Sequence, residues 1–154
     1  MRYQLKKTVV LVGMMGAGKT AVGTALARAL GVQFLDSDAE IEKAANMSIA
    51  EIFARDGEAF FRDRESQVIA RLLEGRKGVL STGGGAYLRP ENRAAITARG
   101  IAVWLRVPVD LLWQRVRHRD TRPLLRTADP QGTLLRMASE REPVYALADL
   151  VEIG

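Results

Sequence analysis

Residues 13–20 read Gly-Met-Met-Gly-Ala-Gly-Lys-Thr and fill every fixed position of the pattern G-x-x-x-x-G-K-[ST]. They directly follow an apolar run, residues 9–12, with the composition of a buried strand. A strand, a glycine-rich turn and a helix in this order aim several backbone N–H groups and the positive end of the helix dipole at one point. A chance turn before a helix is the alternative, and the full ordered pattern argues against it. The sequence therefore predicts a polyphosphate site.

Each residue type in this loop has a physical reason to be there. Glycine lets the backbone curl around phosphates, partly with φ > 0. Lys19 would reach the β- and γ-phosphates as a mobile point charge, and the Thr20 hydroxyl would hold Mg²⁺. ATP and Mg²⁺ are thus the predicted cofactors, and the expected nucleotide contacts in the loop are Gly16, Ala17, Gly18, Lys19, Thr20 and Ala21.

Two carboxylates, Asp36 and Asp38, follow the second predicted strand. The carboxyl ends of parallel strands line the ligand crevice of an open sheet, so both acids belong near the phosphates. The third predicted strand ends without a carboxylate, which makes Asp36 the candidate for the magnesium shell, through water. Asp38 would face the acceptor hydroxyl, orienting it or taking its proton. Capping of the next helix is the alternative role for either acid.

Three consecutive glycines, residues 83–85, follow the third predicted strand. Such a run costs backbone entropy and supplies no packing, and a tight turn alone explains only one glycine, so we expect a ligand to approach the main chain closely there. A polar, arginine-rich segment bracketed by prolines lies further on, at residues 118–130. It is either a plain surface loop or a mobile lid over the nucleotide, and the phosphate loop favours the lid.

The elements that must position these residues alternate along the chain. Strand-like runs are expected at residues 9–12, 33–35, 78–80, 101–105 and 149–153, with helical patterns between them. This alternation predicts a three-layer α/β/α domain with a central five-stranded parallel sheet. A first helix would end at Gly31, a second would span residues 58–74, and Pro108 would lie in the first turn of another. We expect residues 1–154 to form one domain.

Composition excludes several classes of protein. The 154 residues include no cysteine, which removes disulfides, thiolate metal sites and cysteine nucleophiles. No apolar run approaches the roughly 20 residues that span a bilayer, and the first residues lack a signal-peptide pattern, so a cytoplasmic protein without a membrane partner is expected. The net charge of +5 comes from scattered arginines, which favours anionic small molecules over nucleic acid. With no apolar stripe left over, a monomer is expected.

Six motifs in order resemble the shikimate kinase family, whose members share the phosphate-loop fold of nucleoside monophosphate kinases. The resemblance covers about residues 9–151. The motifs are the phosphate loop, Asp-Ser-Asp at 36–38, Gly-Glu-x-x-Phe-Arg-x-x-Glu at 57–65, Thr-Gly-Gly-Gly at 82–85, Arg-Pro-Leu-Leu at 122–125 and Arg-x-Pro-x-Tyr at 141–145.

The resemblance implies an ATP-dependent kinase that phosphorylates the 3-hydroxyl of shikimate. It implies that the substrate is held by Asp38, Arg62, Gly84 and Arg141, with the two arginines on its carboxylate. Arg122 would reach the transferred or β-phosphate from the lid, sharing catalysis with Lys19 and Asp38. Arg117, just before the lid, would stack on adenine.

Three alternatives stay open at this stage. A related kinase for gluconate or a nucleoside monophosphate would share the phosphate loop and differ in the acceptor residues. A non-catalytic nucleotide-binding module would need neither Asp38 nor the two substrate-binding arginines. Nucleic-acid binding is the third, and it would weaken steeply with salt.

Overall fold

The computed structural model describes residues 5–117 and 127–153, in which strands alternate with helices. The strands are β1 Thr8–Val12, β2 Phe34–Asp36, β3 Val79–Ser81, β4 Gly100–Arg106 and β5 Leu150–Ile153. The helices are α1 Lys19–Leu30, α2 Ser37–Ala45, α3 Ile49–Glu74, α4 Pro90–Arg99, α5 Val109–Val116 and α6 Pro130–Tyr145, with a 3₁₀ turn at Ala86–Leu88. All five predicted strands are confirmed, each within one or two residues of its expected ends.

The strands form one parallel sheet in the order β2-β3-β1-β4-β5. The central strand β1 pairs on both edges, so that Val10 lies between Leu80 and Ala102. These three side chains are at most 2% exposed, which explains why the strands read as continuous apolar runs rather than alternating ones. The predicted α/β/α architecture with a five-stranded parallel sheet is confirmed.

Helix α1 follows the phosphate loop and packs on the sheet as predicted. It ends at Gly31, whose φ of 68° and ψ of 32° place it in the left-handed region and whose N–H bonds back to the last turn. Glycine adopts this conformation without steric cost, which is why it terminates the helix here.

Helix α3 is longer than the sequence pattern predicted. Its start is fixed by a capping box, in which the Ser48 side chain accepts from the Glu51 N–H and the Glu51 side chain accepts from the Ser48 N–H. At Gly57 the backbone turns to φ 87° and ψ 170°, which splits α3 into two segments. The predicted helix over 58–74 corresponds to the second segment, and the first segment had not been predicted.

Two further boundaries differ from expectation. Pro108 precedes α5 as its N-terminal cap rather than lying in the first turn, with an extended ψ of 140°. The segment expected to form a lid, residues 118–130, is described only from residue 127, and its last residue, Pro130, already begins α6. None of the helices in the described ranges is long and apolar enough to cross a membrane.

Candidate active site

The phosphate loop wraps around a cavity at the carboxyl end of β1. Gly16 has φ +85° and Gly18 has φ +94°, conformations that side-chain-bearing residues rarely adopt. Lys19 begins α1, and its Nζ donates to the carbonyls of Gly13 at 2.7 Å and Met14 at 3.0 Å. The ammonium group is thus held across the loop, close to where the predicted phosphates would lie.

The cavity has a volume of about 970 Å³ and is lined by many of the residues that the sequence singled out. All six expected loop contacts, Gly16 to Ala21, are among them. So are Asp36, Asp38 and Gly84 from the neighbouring strand ends. The topology therefore brings together the loop and both acids, as the carboxyl edge of a parallel sheet requires.

The two acids have different local surroundings. Asp36 ends β2 and caps α2, with its Oδ1 accepting from the Asp38 N–H at 2.9 Å. Asp38 lies in the first turn of α2, where the helix dipole favours a carboxylate. The capping role considered for either acid is therefore taken by Asp36.

The donor set fits a magnesium ion held together with phosphates. No group of three or more acidic, histidine or cysteine side chains within 5–117 and 127–153 could hold a metal by itself. Mg²⁺ commonly uses one or two carboxylates and completes its shell with substrate phosphates and water. Thr20 and Asp36, both lining the phosphate cavity, supply a hydroxyl and a carboxylate of this kind.

A second, smaller cavity of about 70 Å³ adjoins the first. The four residues expected to hold the substrate all line it: Asp38, Arg62, Gly84 and Arg141. The two cavities share four lining residues and meet there: Met15, Asp38, Gly83 and Gly84. Its apolar lining comes from Met15, Ile49, Phe53 and Phe61.

The two arginines are held differently. Arg141, on α6, is 8% exposed, and its buried Nη1 makes no hydrogen bond to any described residue. Arg62, on α3, donates from Nη1 to the Glu65 carboxylate at 2.9 Å and reaches Glu58 at 3.3 Å. A buried guanidinium nitrogen without a hydrogen-bond acceptor is costly in free energy. An anionic group in the small cavity would supply an acceptor for Nη1 of Arg141.

The three consecutive glycines leave room for three of these side chains. A Cβ on Gly83 would lie 2.7 Å from Asp38 Oδ1, and one on Gly84 would lie 3.3 Å from Arg141 Nη1. A Cβ on Gly85 would collide with the Arg62 guanidinium. The sequence led us to expect a ligand close to this turn, whereas the groups that approach it in the structure are the protein's own side chains of Asp38, Arg141 and Arg62.

Sequence reasoning missed three residues that take part in the site. Glu65 is fully buried beside Arg62, and Tyr145 is fully buried with its hydroxyl donating to the Gly84 carbonyl. Arg115, on α5, lines the large cavity and donates to the Gly16 carbonyl at 2.8 Å. Glu65 and Tyr145 belong to the motifs quoted above, which was the available signal, whereas nothing near Arg115 distinguishes it from other helix arginines.

Glu65 has a perturbed acidity with an identifiable cause. Burial raises the pKa of its carboxyl above the ordinary value of 4.5, since desolvation outweighs the opposing attraction of Arg62. The nearby Asp38 adds to the rise and Arg89 opposes it. A carboxyl that is hard to ionise thus lies beside a guanidinium expected to bind substrate.

The structure does not place Arg122 or Arg117 among the described residues that line the two cavities. Arg122 lies outside the described residues. Arg117 is the residue after α5 and is exposed, and it is not among the residues lining the large cavity.

This chain is similar to known proteins over nearly its whole length. Residues 15–154 match the family described as shikimate kinase. A shikimate kinase of Ruegeria pomeroyi is 69% identical over 97% of this chain and 77% of its own length. One of Cereibacter sphaeroides is 66% identical over 98% of this chain and 76% of its own.

Among solved structures, a shikimate kinase from Acinetobacter baumannii in complex with shikimate superposes with a TM-score of 0.92 at 43% identity. The match covers 95% of this chain and 82% of that one. Family match, sequence identity and superposition agree over nearly the whole chain. This chain therefore belongs to the shikimate kinase family.

Proposed function

We propose that this protein transfers the γ-phosphate of ATP to the 3-hydroxyl of shikimate, giving ADP and shikimate 3-phosphate. The observation that carries the proposal is that the large and small cavities share Asp38 and Gly84. A phosphate donor in the first and an acceptor in the second would meet at Asp38. Membership of the shikimate kinase family supports the same reaction.

The nucleotide would bind on the phosphate loop. Backbone N–H groups of residues 16–20 and the Lys19 ammonium would surround the phosphates, and Arg115 on α5 lines the same cavity. Thr20 and Asp36 would hold magnesium, whose charge would offset that of the β- and γ-phosphates. These groups supply positioning and electrostatic stabilisation, which is most of what phosphoryl transfer asks of a protein.

The acceptor would be held from two sides. Arg62 and Arg141 would bind the shikimate carboxylate, since guanidinium groups make planar, charge-assisted contacts to carboxylates. Asp38 would accept the hydrogen bond of the 3-hydroxyl, fixing it for in-line attack and taking its proton as the bond to phosphorus forms. Gly84 would contact the ring through its backbone.

The segment over residues 118–130 would act as a lid. Arg122 would then reach the transferred phosphate and share its charge with Lys19, and Arg117 would contact adenine, as the family resemblance implies. Closure of such a segment excludes water and so limits wasteful hydrolysis of ATP.

Measured ADP release tests the proposal. The purified protein is given MgATP with no acceptor, with shikimate, with gluconate or with a panel of nucleoside monophosphates. We expect release that depends on shikimate alone, with shikimate 3-phosphate identified by phosphorus NMR. Turnover of another acceptor would be consistent with the phosphate site but would overturn the assignment of shikimate as the substrate. If the protein binds ATP but releases no ADP with any acceptor, a non-catalytic nucleotide-binding module would be favoured.

The same protein would act as a monomer in the cytoplasm, with small-molecule substrates and with neither nucleic acid nor membrane as a partner. Light scattering of the purified protein, with and without substrates, tests the monomer. Binding to nucleic acid that survives physiological salt would contradict the proposal.

A further inference from the structure

Arg89 lines neither cavity, yet its side chain holds the helical turn that carries Arg62. It precedes α4, and its guanidinium crosses to α3. Nη1 donates to the Arg62 carbonyl at 3.1 Å and to Ser66 Oγ at 3.2 Å, while Nη2 donates to Asp63 Oδ1 at 2.9 Å. One guanidinium therefore contacts three residues of a single turn.

These contacts differ in how much they can fix. Asp63 is exposed, and so is Glu91, which lies 3.3 Å from Arg89 Nε, so each of these ion pairs contributes little. The bonds to the Arg62 carbonyl and the Ser66 hydroxyl are partly buried and charge-assisted. Because the guanidinium is planar and rigid, these two hydrogen bonds fix both the distance of α3 from Arg89 and the rotation of α3 about its axis at this turn.

This turn needs a local anchor because of Gly57. The helix is broken there, at φ 87° and ψ 170°, so the first segment of α3 does not fix the position of the second. In the second segment, Phe61 packs in an apolar cluster with Ile41, Ile52 and Val68, and the side chain buried between Phe61 and Val68 is the polar Glu65. Between them, Arg89 is the polar contact that joins α3 to the start of α4.

The segment that carries Arg89 also bounds the far end of the Arg62 side chain. The Arg62 guanidinium lies against Gly85, where a Cβ would collide with it. Residues 85–89 therefore contact Arg62 at two places. Gly85 lies against its guanidinium, and Arg89 donates a hydrogen bond to its backbone carbonyl. A small shift of α3 relative to this segment would move the guanidinium within a tight space.

We propose that Arg89 is a positioning residue for Arg62, which sets the affinity for the carboxylate of the acceptor by fixing α3 against residues 85–89. The inference rests on the proposed function, in which Arg62 binds that carboxylate. Arg89 itself touches neither the nucleotide nor the acceptor.

Steady-state kinetics of Arg89→Ala and Arg89→Lys test this. We expect Arg89→Ala to raise KM for shikimate about tenfold, with kcat and KM for ATP within about twofold of wild type. Arg89→Lys keeps the charge but loses the rigid fork, so its KM should rise in the same direction by less. Glu91→Gln is the matched control, because it removes the exposed ion pair to Arg89 Nε and keeps the groups through which Arg89 bonds to α3, and its kinetics should equal those of wild type.

A double-mutant cycle with Arg62→Ala shows whether the effect passes through Arg62. We expect Arg89→Ala to leave KM unchanged when Arg62 is already alanine. An equal rise of KM in both backgrounds, or an unchanged KM in Arg89→Ala at a near-native Tm, would overturn the proposal. If Arg89→Ala does not fold, the Arg89→Lys arm of the same cycle decides.

Wild type without shikimate-dependent ADP release would mean that the proposed function has failed. Normal wild-type turnover with an unaffected KM in Arg62→Ala would remove Arg62 from the carboxylate and so overturn this proposal as well. Normal turnover, a raised KM in Arg62→Ala and no effect of Arg89→Ala would overturn the role of Arg89 alone.

Discussion

Glu65 Oε1 accepts a hydrogen bond from Arg62 Nη1 at 2.9 Å, three residues away on α3. Glu65 is fully buried, while the Arg62 side chain is 15% exposed and reaches the small cavity. The pair therefore joins the interior of the domain to the expected carboxylate site. Removing one member of such a pair leaves the other charge buried and uncompensated.

The stability of the fold should depend on pH through Glu65. Folding raises the pKa of this carboxyl above 4.5, so the folded protein binds the proton more tightly than the unfolded chain does. The contribution of Glu65 to the free energy of unfolding is fully present below pH 4.5, and it is lost as the pH rises through the raised pKa of the folded state. We therefore expect the Tm of wild type to fall relative to that of Glu65→Gln as the pH rises from about 4 to about 8.

Thermal unfolding of both proteins across this range measures the difference. The other titrating groups are shared by the two proteins and cancel in the comparison. Two parallel curves of Tm against pH would contradict the raised pKa of Glu65.

Asp38→Asn should lower kcat by at least about 100-fold, because an amide can neither take the hydroxyl proton nor carry the charge that orients it. KM for ATP should change little. Asp36→Asn is the companion variant, since asparagine also caps a helix and should keep α2 in place. That variant is expected to need more Mg²⁺ for half-maximal rate. Nucleotide affinity falling as steeply as kcat in Asp38→Asn would assign Asp38 to the metal instead.

Arg62→Ala should mainly raise KM for shikimate, by about 100-fold, because it removes a charge-assisted contact to the carboxylate. Arg64→Ala is the control on the same helix, because Arg64 is exposed and its Nη1 donates to Gln67. Initial rates at varied shikimate concentration give KM for shikimate in both variants. An unchanged KM in Arg62→Ala would remove this residue from the acceptor site.

Gly83→Ala should lower kcat by about tenfold or more through the position of Asp38. The added methyl group would lie 2.7 Å from Asp38 Oδ1, so the carboxylate must move. Gly75→Ala is the matched control at the end of α3, where the nearest atom to a new Cβ is the Leu72 carbonyl oxygen at 3.4 Å. Wild-type kcat in Gly83→Ala would show that Asp38 tolerates displacement.

Tyr145→Phe should weaken both the fold and the acceptor site. Burial raises the pKa of Tyr145 above 10.0, so its hydroxyl stays protonated and donates to the Gly84 carbonyl. Loss of the hydroxyl leaves that carbonyl unsatisfied, at a cost of about 1 to 3 kcal/mol in unfolding free energy. Urea unfolding measures this cost, and KM for shikimate should rise because Gly84 is no longer fixed. A variant equal to wild type in both would contradict the role of this bond.

The sequence by itself determined the local parts of this protein. The phosphate loop could be predicted because the glycines, Lys19 and Thr20 are contiguous, and their conformation follows from local backbone sterics. The inner strands β1 and β3 could be predicted because buried strands read as continuous apolar runs. The edge strands β2 and β5 are half-buried and exposed, and they could be predicted from the alternation of strand-like and helical patterns. Helix α1 and its end at Gly31 followed for the same local reasons.

Only the tertiary structure decided how distant segments combine. Arg62, Gly84 and Arg141 come from three separate elements, and no periodicity relates them, so a family resemblance was needed to group them. Glu65 looks like a surface acid on a helix until packing buries it beside Arg62. Burial and the pKa that follows from it depend on neighbours far along the chain, which local propensity does not encode.

The glycine turn at 83–85 shows the same division. The sequence predicted a ligand close to this turn, because three glycines give no packing of their own. That the approaching groups are Asp38, Arg141 and Arg62 depends on how α2, α6 and α3 dock around the carboxyl edge of the sheet. The three glycines in the sequence indicated that space is left at this turn. The packing of the helices decided which side chains occupy that space.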